Sequence, residues 1–468
     1  MVSCKSLPWI IVTLCANAVF AQSTTPAGLT TRETDLGAPA QSELQSGRVV
    51  LSPDGARVAY WVHGKGQATK QRFAAAAGET CSVVVDGKTG KTYDKVWRPV
   101  FSPDSKRVAY FARTKDSTVL VVDEQEIPVE GSEVIGLPVF SYDGKRIAFA
   151  VSLDRAKHVV IDGTKGAPYD AIGDIVFSED GKRVAYAAKR SNGWVVVCDG
   201  QESQAYQGIG EGTLRFSKDG NNFGYTASRA GRWVISLNGN ESKEADGFGL
   251  GSPKFSPAGD DFAFVVFGGD HQALFIVSGR QGRIYDTIES FLLSPDGKHS
   301  AHTATRGEKC LVVRDRAEGP EFDSVGTPLF SADSQHMAYV ARTEDLERVI
   351  LDGFEQKAYD RVTDLCISPD GRTVAYAGLR EGLWMLVHNR REGPEYDDVL
   401  KVALSVDGKH TAYWAVKAGK HVLVVDAQEG PVFDNIVPDS TITFDTNKTL
   451  HALGLRDGRI FRIDAEIP

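Results

Sequence analysis

Hydrophobic and polar positions follow one short pattern again and again. An apolar pair is followed by Ser-x-Asp-Gly, a basic residue and then five or six mostly apolar residues; "VFSEDGKRVAYAA" (176–188) is typical. The apolar pair ends one strand. In "SPDG" copies Pro suits the second turn position, Asp caps the backbone and Gly takes the φ > 0 corner. The run after the turn predicts a second strand. A polar loop such as "KRSNG" (189–193) leads to a third strand, as in "WVVVCDG" (194–200), and a second Asp/Gly turn leads to a short fourth strand. The second strand is apolar at odd and even positions alike, so both faces of its sheet are expected to be buried. The recurrent Ala109 and Ala185 leave room for a neighbouring sheet, and Tyr110, Tyr186, Tyr339 and Tyr376 fill the gap.

Eleven copies occur, from Leu51 to a worn copy at Phe444, spaced 37–40 residues apart except for a first interval of 50. Such a period, with four antiparallel strands per unit, predicts an all-β propeller of eleven four-stranded blades. Eleven exceeds the usual four to eight blades per ring, so two tandem rings are expected, blades 1–5 over 47–250 and blades 6–11 over 251–468. One large ring is the alternative, favoured by the lack of a long linker. The last copy ends after its third strand, and a strand from 35–45 could complete it. The "SPDGKRVAY"-type copies resemble the WD40-like propeller repeats of TolB-type periplasmic proteins. The resemblance covers about 47–468 and implies the fold, not an activity. TolB-type proteins also carry a small α/β domain ahead of the propeller, for which 22–46 is too short.

Lys5 ahead of "LPWIIVTLCANAVFA" (7–21) reads as a secretory signal cut after Ala21, which predicts a periplasmic or secreted protein with no membrane span after cleavage. Residues 22–46, rich in Ser, Thr, Pro, Gly and Ala, read as a flexible leader. The net charge of −9 argues against nucleic acid as a partner. Cys81, Cys198, Cys310 and Cys366 form no CxxC and fall on non-adjacent blades, so free thiols are expected.

Motifs for catalysis are scarce. Gly90-Lys91-Thr92 invites a phosphate-loop reading, but Val85 stands where that loop needs glycine, and no helix follows. His299 and His302 lie three apart; counted from the turn serine, they take a recurrent basic slot and an aromatic slot. Alternation puts those slots on opposite faces of a strand, so they should not share a metal. The recurrent Tyr/Phe-Asp pairs, such as Tyr169-Asp170 and Tyr359-Asp360, read as packing and turn capping. Two features suit binding. Arg113, Lys189, Arg190, Arg229, Arg306, Arg342, Arg380 and Lys417 recur between the second and third strands, where they could form a cationic rim for an acidic protein or an anionic glycan. The insertion 65–79 lies in the same loop of the first copy. The leading reading is an exported non-catalytic scaffold for a protein or ligand, with no cofactor. The runner-up is an enzyme acting on acidic polysaccharide through polar residues converging on the axis. A calcium-binding propeller is weaker, since no loop has the spacing of a dedicated calcium site.

Overall fold

A computed structural model describes residues 22–24, 29–39, 49–63, 80–115, 117–131, 133–249, 251–257, 259, 261–268 and 272–468. Residues 1–21, expected to be a secretory signal, and the insertion 65–79 lie outside them. Blade 4 shows how the repeat folds. Ala171–Phe177, Val184–Arg190, Gly193–Cys198 and Gln201–Glu202 pair in that order, each antiparallel to the next. The turn between the first two is held by its own motif: Ser178 Oγ donates to Asp180 (2.6 Å) and accepts from the Arg183 amide (2.9 Å). Gly181 takes φ +70°. Asp199 and Gly200 both have positive φ, as the tight hairpin to the fourth strand requires.

First strands of neighbouring blades touch one another, which places them on the inner edge, with fourth strands outside. Each seam is an apolar wedge. Between blades 3 and 4, Val159 and Tyr169 pack on Tyr186, Ala188, Val195 and Val197. Tyr169 meets Tyr186 edge to face at 6.1 Å. Burying one such ring, about 150–250 Å², contributes at most about 4–6 kcal/mol before chain entropy.

On the turn face a charged latch spans the seams after blades 1–4 from the basic slot. Arg183 Nε donates to Asp199 of its own blade (2.7 Å), and Nη1 to the Gly220 carbonyl of the next blade's turn (2.9 Å). Arg57, Arg107 and Arg146 do the same one blade after another. His299, His336 and His410 keep the bond to their own blade's aspartate, each at 2.6 Å. In the degenerate fifth copy Asn222 and Asn238 replace the Arg–Asp pair, and Asn222 Nδ2 still reaches the next turn at Gly259 (2.7 Å).

The eleven sheets form a single ring, the arrangement given above as the alternative to two. Two rings would need an open seam between blades 5 and 6. Instead Gly224 brings blade 5 so close to Pro253 and Phe255 that a Cβ there would stand 3.2–3.3 Å from them. The ring closes where Val58 and Tyr60 of blade 1 pack on Leu36, Val437 and Leu453 of blade 11. The fourth strand of blade 11 comes from the other end of the chain: Thr30–Gly37 pairs with Arg459–Glu466. Those residues sit inside the segment whose composition reads as a leader, and earlier than the 35–45 expected for closure. Buried Leu29 and Leu36 pin them on either side of the blade. Among the described residues no helix is long and apolar enough to cross a membrane.

Removing residues 22–37 leaves the edge of Arg459–Glu466 unpaired and loses Leu29 and Leu36, about 1.5–3 kcal/mol each. Denaturant unfolding of the shortened chain is expected to show a lower midpoint and an unfolding free energy reduced by that sum or more; an unchanged midpoint would disprove closure by this strand.

Candidate functional site

The six arginines expected to form a cationic rim stand at or next to the ends of second strands on blades 2, 4, 5, 7, 8 and 9. The fold does not bring them together, and it ties four of them inward. Arg190 bonds Glu202, Arg229 Glu241 (2.8 Å), Arg306 Glu318 (2.5 Å) and Arg380 Glu392 (2.7 Å). Each glutamate lies on the outer strand of the same blade. Each also accepts the phenol of a tyrosine from the preceding blade: Tyr169, Tyr206, Tyr285 and Tyr359. The guanidinium of Arg190 stands 4.6 Å over the Tyr169 ring. Lys417 bonds Glu429 in the same way (3.0 Å). Arg306 beside Glu318 holds that carboxyl down at about 2, and Lys357 does so for Glu392. Arg342 reaches the Glu344 carbonyl (2.9 Å) and the exposed Asp345 (3.6 Å). Arg113 has no side-chain partner among the described residues. In the Tyr-Asp pairs the tyrosine is a seam element and the aspartate caps a turn of the next blade, as Asp360 does for the Glu381 amide (2.9 Å).

Departures from the repeat mark two other places. Two residues before the turn serine most copies are apolar: Val100, Val139, Val176, Leu292, Leu329. Copies five and six carry Arg215 and Lys254 instead. Both line a groove of about 640 Å³ along the inner ends of blades 3–6, walled by Phe140, Phe177, Phe216 and Phe255. Tyr142 adds a half-exposed ring at one end. Lys254 Nζ donates to the Phe291 carbonyl (2.7 Å) and stands 4.6 Å from the Phe291 ring centre. Burial, and after it the charge of Arg215, pull its ammonium below the ordinary lysine range. Neither cation has a carboxylate partner among the described residues. This pair escapes a search for motifs; the signal that finds it is a register-by-register comparison of the copies.

The second place is the seam between blades 6 and 7, where a cleft of about 460 Å³ opens. His302 lies in its wall, 4% exposed, against Phe275 (4.6 Å) and Tyr285 (5.7 Å). Its Nε2 has no hydrogen-bond partner among the described residues, and burial pushes its pKa down to about 4. His299, by contrast, is spent on Asp315. The inner strands themselves are not only small and apolar. Asp174 and Asp364 sit there, and each accepts an amide of the next inner strand, from Gly212 (2.5 Å) and Lys401 (2.9 Å). The four cysteines stand apart as free thiols; burial pushes Cys198 and Cys366 up to about 11.

No protein-family model and no curated protein matches this sequence. Among solved structures, the chain is similar to one titled as the eukaryotic initiation factor, at 15% identity and a TM-score of 0.39, over 70% of this chain and 95% of that one. It is similar to TolB from Acinetobacter baumannii at 16% identity and 0.29, over 57% and 80%. The Cps50 (Swd1) β-propeller domain of Myceliophteria thermophila is matched at 14% and 0.28, over 54% and 96%.

A neutral His302 makes the fold sensitive to mild acid. Its folded pKa of about 4 lies below the ordinary 6.5, so between those values the unfolded chain takes up a proton that the folded chain refuses. Stability is full above pH 6.5 and falls by up to roughly 3 kcal/mol as pH drops towards 4. Glu318 and Glu392 stay ionised through that window. Denaturation followed at pH 7 and pH 4.5 is expected to show this loss in the natural chain and to lack this component in His302→Tyr.

Proposed function

We propose that this chain is an exported, non-catalytic scaffold that holds an acidic, partly apolar segment of a partner protein in the groove of blades 3–6. The observation that carries this reading is the pair Arg215 and Lys254. Two like charges in an aromatic-walled groove repel each other, and an anionic side chain between them relieves that cost. The aromatic walls supply apolar contact area at little cost in side-chain entropy. The signal-like segment 1–21 supports export to a periplasmic or extracellular site.

The size of the ring supports a scaffold over an enzyme acting at the axis. Sheets packed about 10 Å apart, eleven to a ring, leave roughly 20 Å between opposite inner backbones. Polar groups on opposite inner strands are then too far apart to close on one sugar unit. Asp174 and Asp364 are already engaged with neighbouring backbone.

A photo-crosslinking residue at Tyr142, in purified mature protein mixed with envelope or secreted proteins of the source cell, should capture one partner. Capture should weaken as salt rises and fall at least tenfold in the double variant Arg215→Glu, Lys254→Glu. Persistence in that variant, with loss on deleting 65–79 or on Arg113→Ala with Arg342→Ala, would move the site to the opposite face and refute the groove.

A further inference from the structure

The seam between blades 6 and 7 breaks the repeat at two positions that face each other. The first is the latch. At the slot where Arg183 or Asn222 donates across to the next turn, blade 6 has Asp261, which can only accept. Its counterpart is inverted too: Ser278 stands where the other blades place aspartate or, in blades 5 and 9, asparagine, and donates to Asp261 (2.5 Å). No donor therefore crosses from this slot to the turn of blade 7. The second is the wedge. At three other seams the second-strand tyrosine runs out to a glycine at the previous blade's outer strand. The hydroxyls of Tyr110, Tyr186 and Tyr339 lie 3.5, 3.8 and 3.6 Å from where a Cβ on Gly90, Gly166 and Gly319 would stand. At the matching Gly282 no hydroxyl arrives, because His302 is too short. Clefts of about 430 and 510 Å³ also open at the seams of blades 2–3 and 3–4, so the lining, not the volume, sets this cleft apart.

What remains there is chemically specific. Phe275, Val277 and Val313 give an apolar wall. Arg280, Lys298 and Arg316 bring three cations to the rim, and Arg280 has no ionic partner among the described residues. Asp261 offers hydrogen bonding, and His302 lines the wall with its unpartnered Nε2 buried. The volume falls within the range of small-molecule sites, about 300–1,000 Å³. Guanidinium groups favour a planar carboxylate. An aromatic acid would satisfy them but would set its apolar ring against the Asp261 carboxylate, which then loses water without gaining a donor. A molecule with one apolar face, a carboxylate and several hydroxyl donors meets every group.

We propose that the cleft between blades 6 and 7 binds a hexuronic-acid unit of an anionic saccharide, with its carboxylate on Arg280 and Arg316, its hydroxyls on Asp261 and its ring beside His302. This site is separate from the groove of blades 3–6 and does not depend on it.

Calorimetric titration of the intact mature chain with trigalacturonate tests the proposal, with maltotriose as the neutral match in length and benzoate as the aromatic acid. Trigalacturonate should bind at least tenfold more tightly than either control. Arg280→Ala should weaken it at least tenfold. His302→Tyr and Asp261→Arg restore residues that other blades use, so they should fold at least as stably and lose the same binding. Absence of trigalacturonate binding at millimolar concentration overturns the proposal. So does equal binding by well-folded His302→Tyr, or equal affinity for benzoate.

Discussion

A four-stranded sheet that is apolar on both faces has no stable existence alone in water. Every other feature of this protein follows from the need to cover both faces of eleven such sheets. A stack would leave two open ends; a ring leaves none. The closing contact is therefore as important as any repeated one, and Thr30–Gly37 supplies it by completing the blade that the other end of the chain begins. Glu33 even takes the place of the outer-strand glutamate, bonding Arg456 as Glu202 bonds Arg190.

The apolar wedge is not selective about angle, and the polar groups at its two ends set the fit. On the turn face the Arg183 type of latch joins an aspartate of one blade to carbonyls of the next. On the opposite, outer side a tyrosine, a glutamate and an arginine or lysine form the second tie. Eleven seams share a full turn at about 33° each, shallower than the roughly 45° or more of a four- to eight-bladed ring. With polar ties at both ends of the wedge, a small angle can be held without opening either face.

The recurrence of these ties through many of the copies makes the departures informative. Arg215 and Lys254 place charge where Val139 and Val176 pack, and Asp261 with His302 changes the lining of one seam cleft. A side chain that follows the repeat serves the ring. One that breaks it is free to serve something else. The arginines that suggested a binding rim follow the repeat, and four of them are paired with a glutamate of their own blade.

The sequence by itself determined the blade. Ser-x-Asp-Gly, the basic slot, the small residue and the aromatic are local signals, and each turn is closed by bonds within a few residues. It also placed His299 in the basic slot and His302 in the aromatic one. The number of rings was not legible, because the angle at each seam is a sum of contacts between residues some 37 apart. Nor was the closing strand: Thr30–Gly37 carries little apolar pattern of its own and becomes a strand because Arg459–Glu466 offers an open edge. Only the tertiary structure decided that Arg306 pairs with Glu318 beside Tyr285, and that Asp261 and His302, on different blades, line one cleft. Pairing across a seam depends on which faces meet, and that is fixed only once the ring has closed.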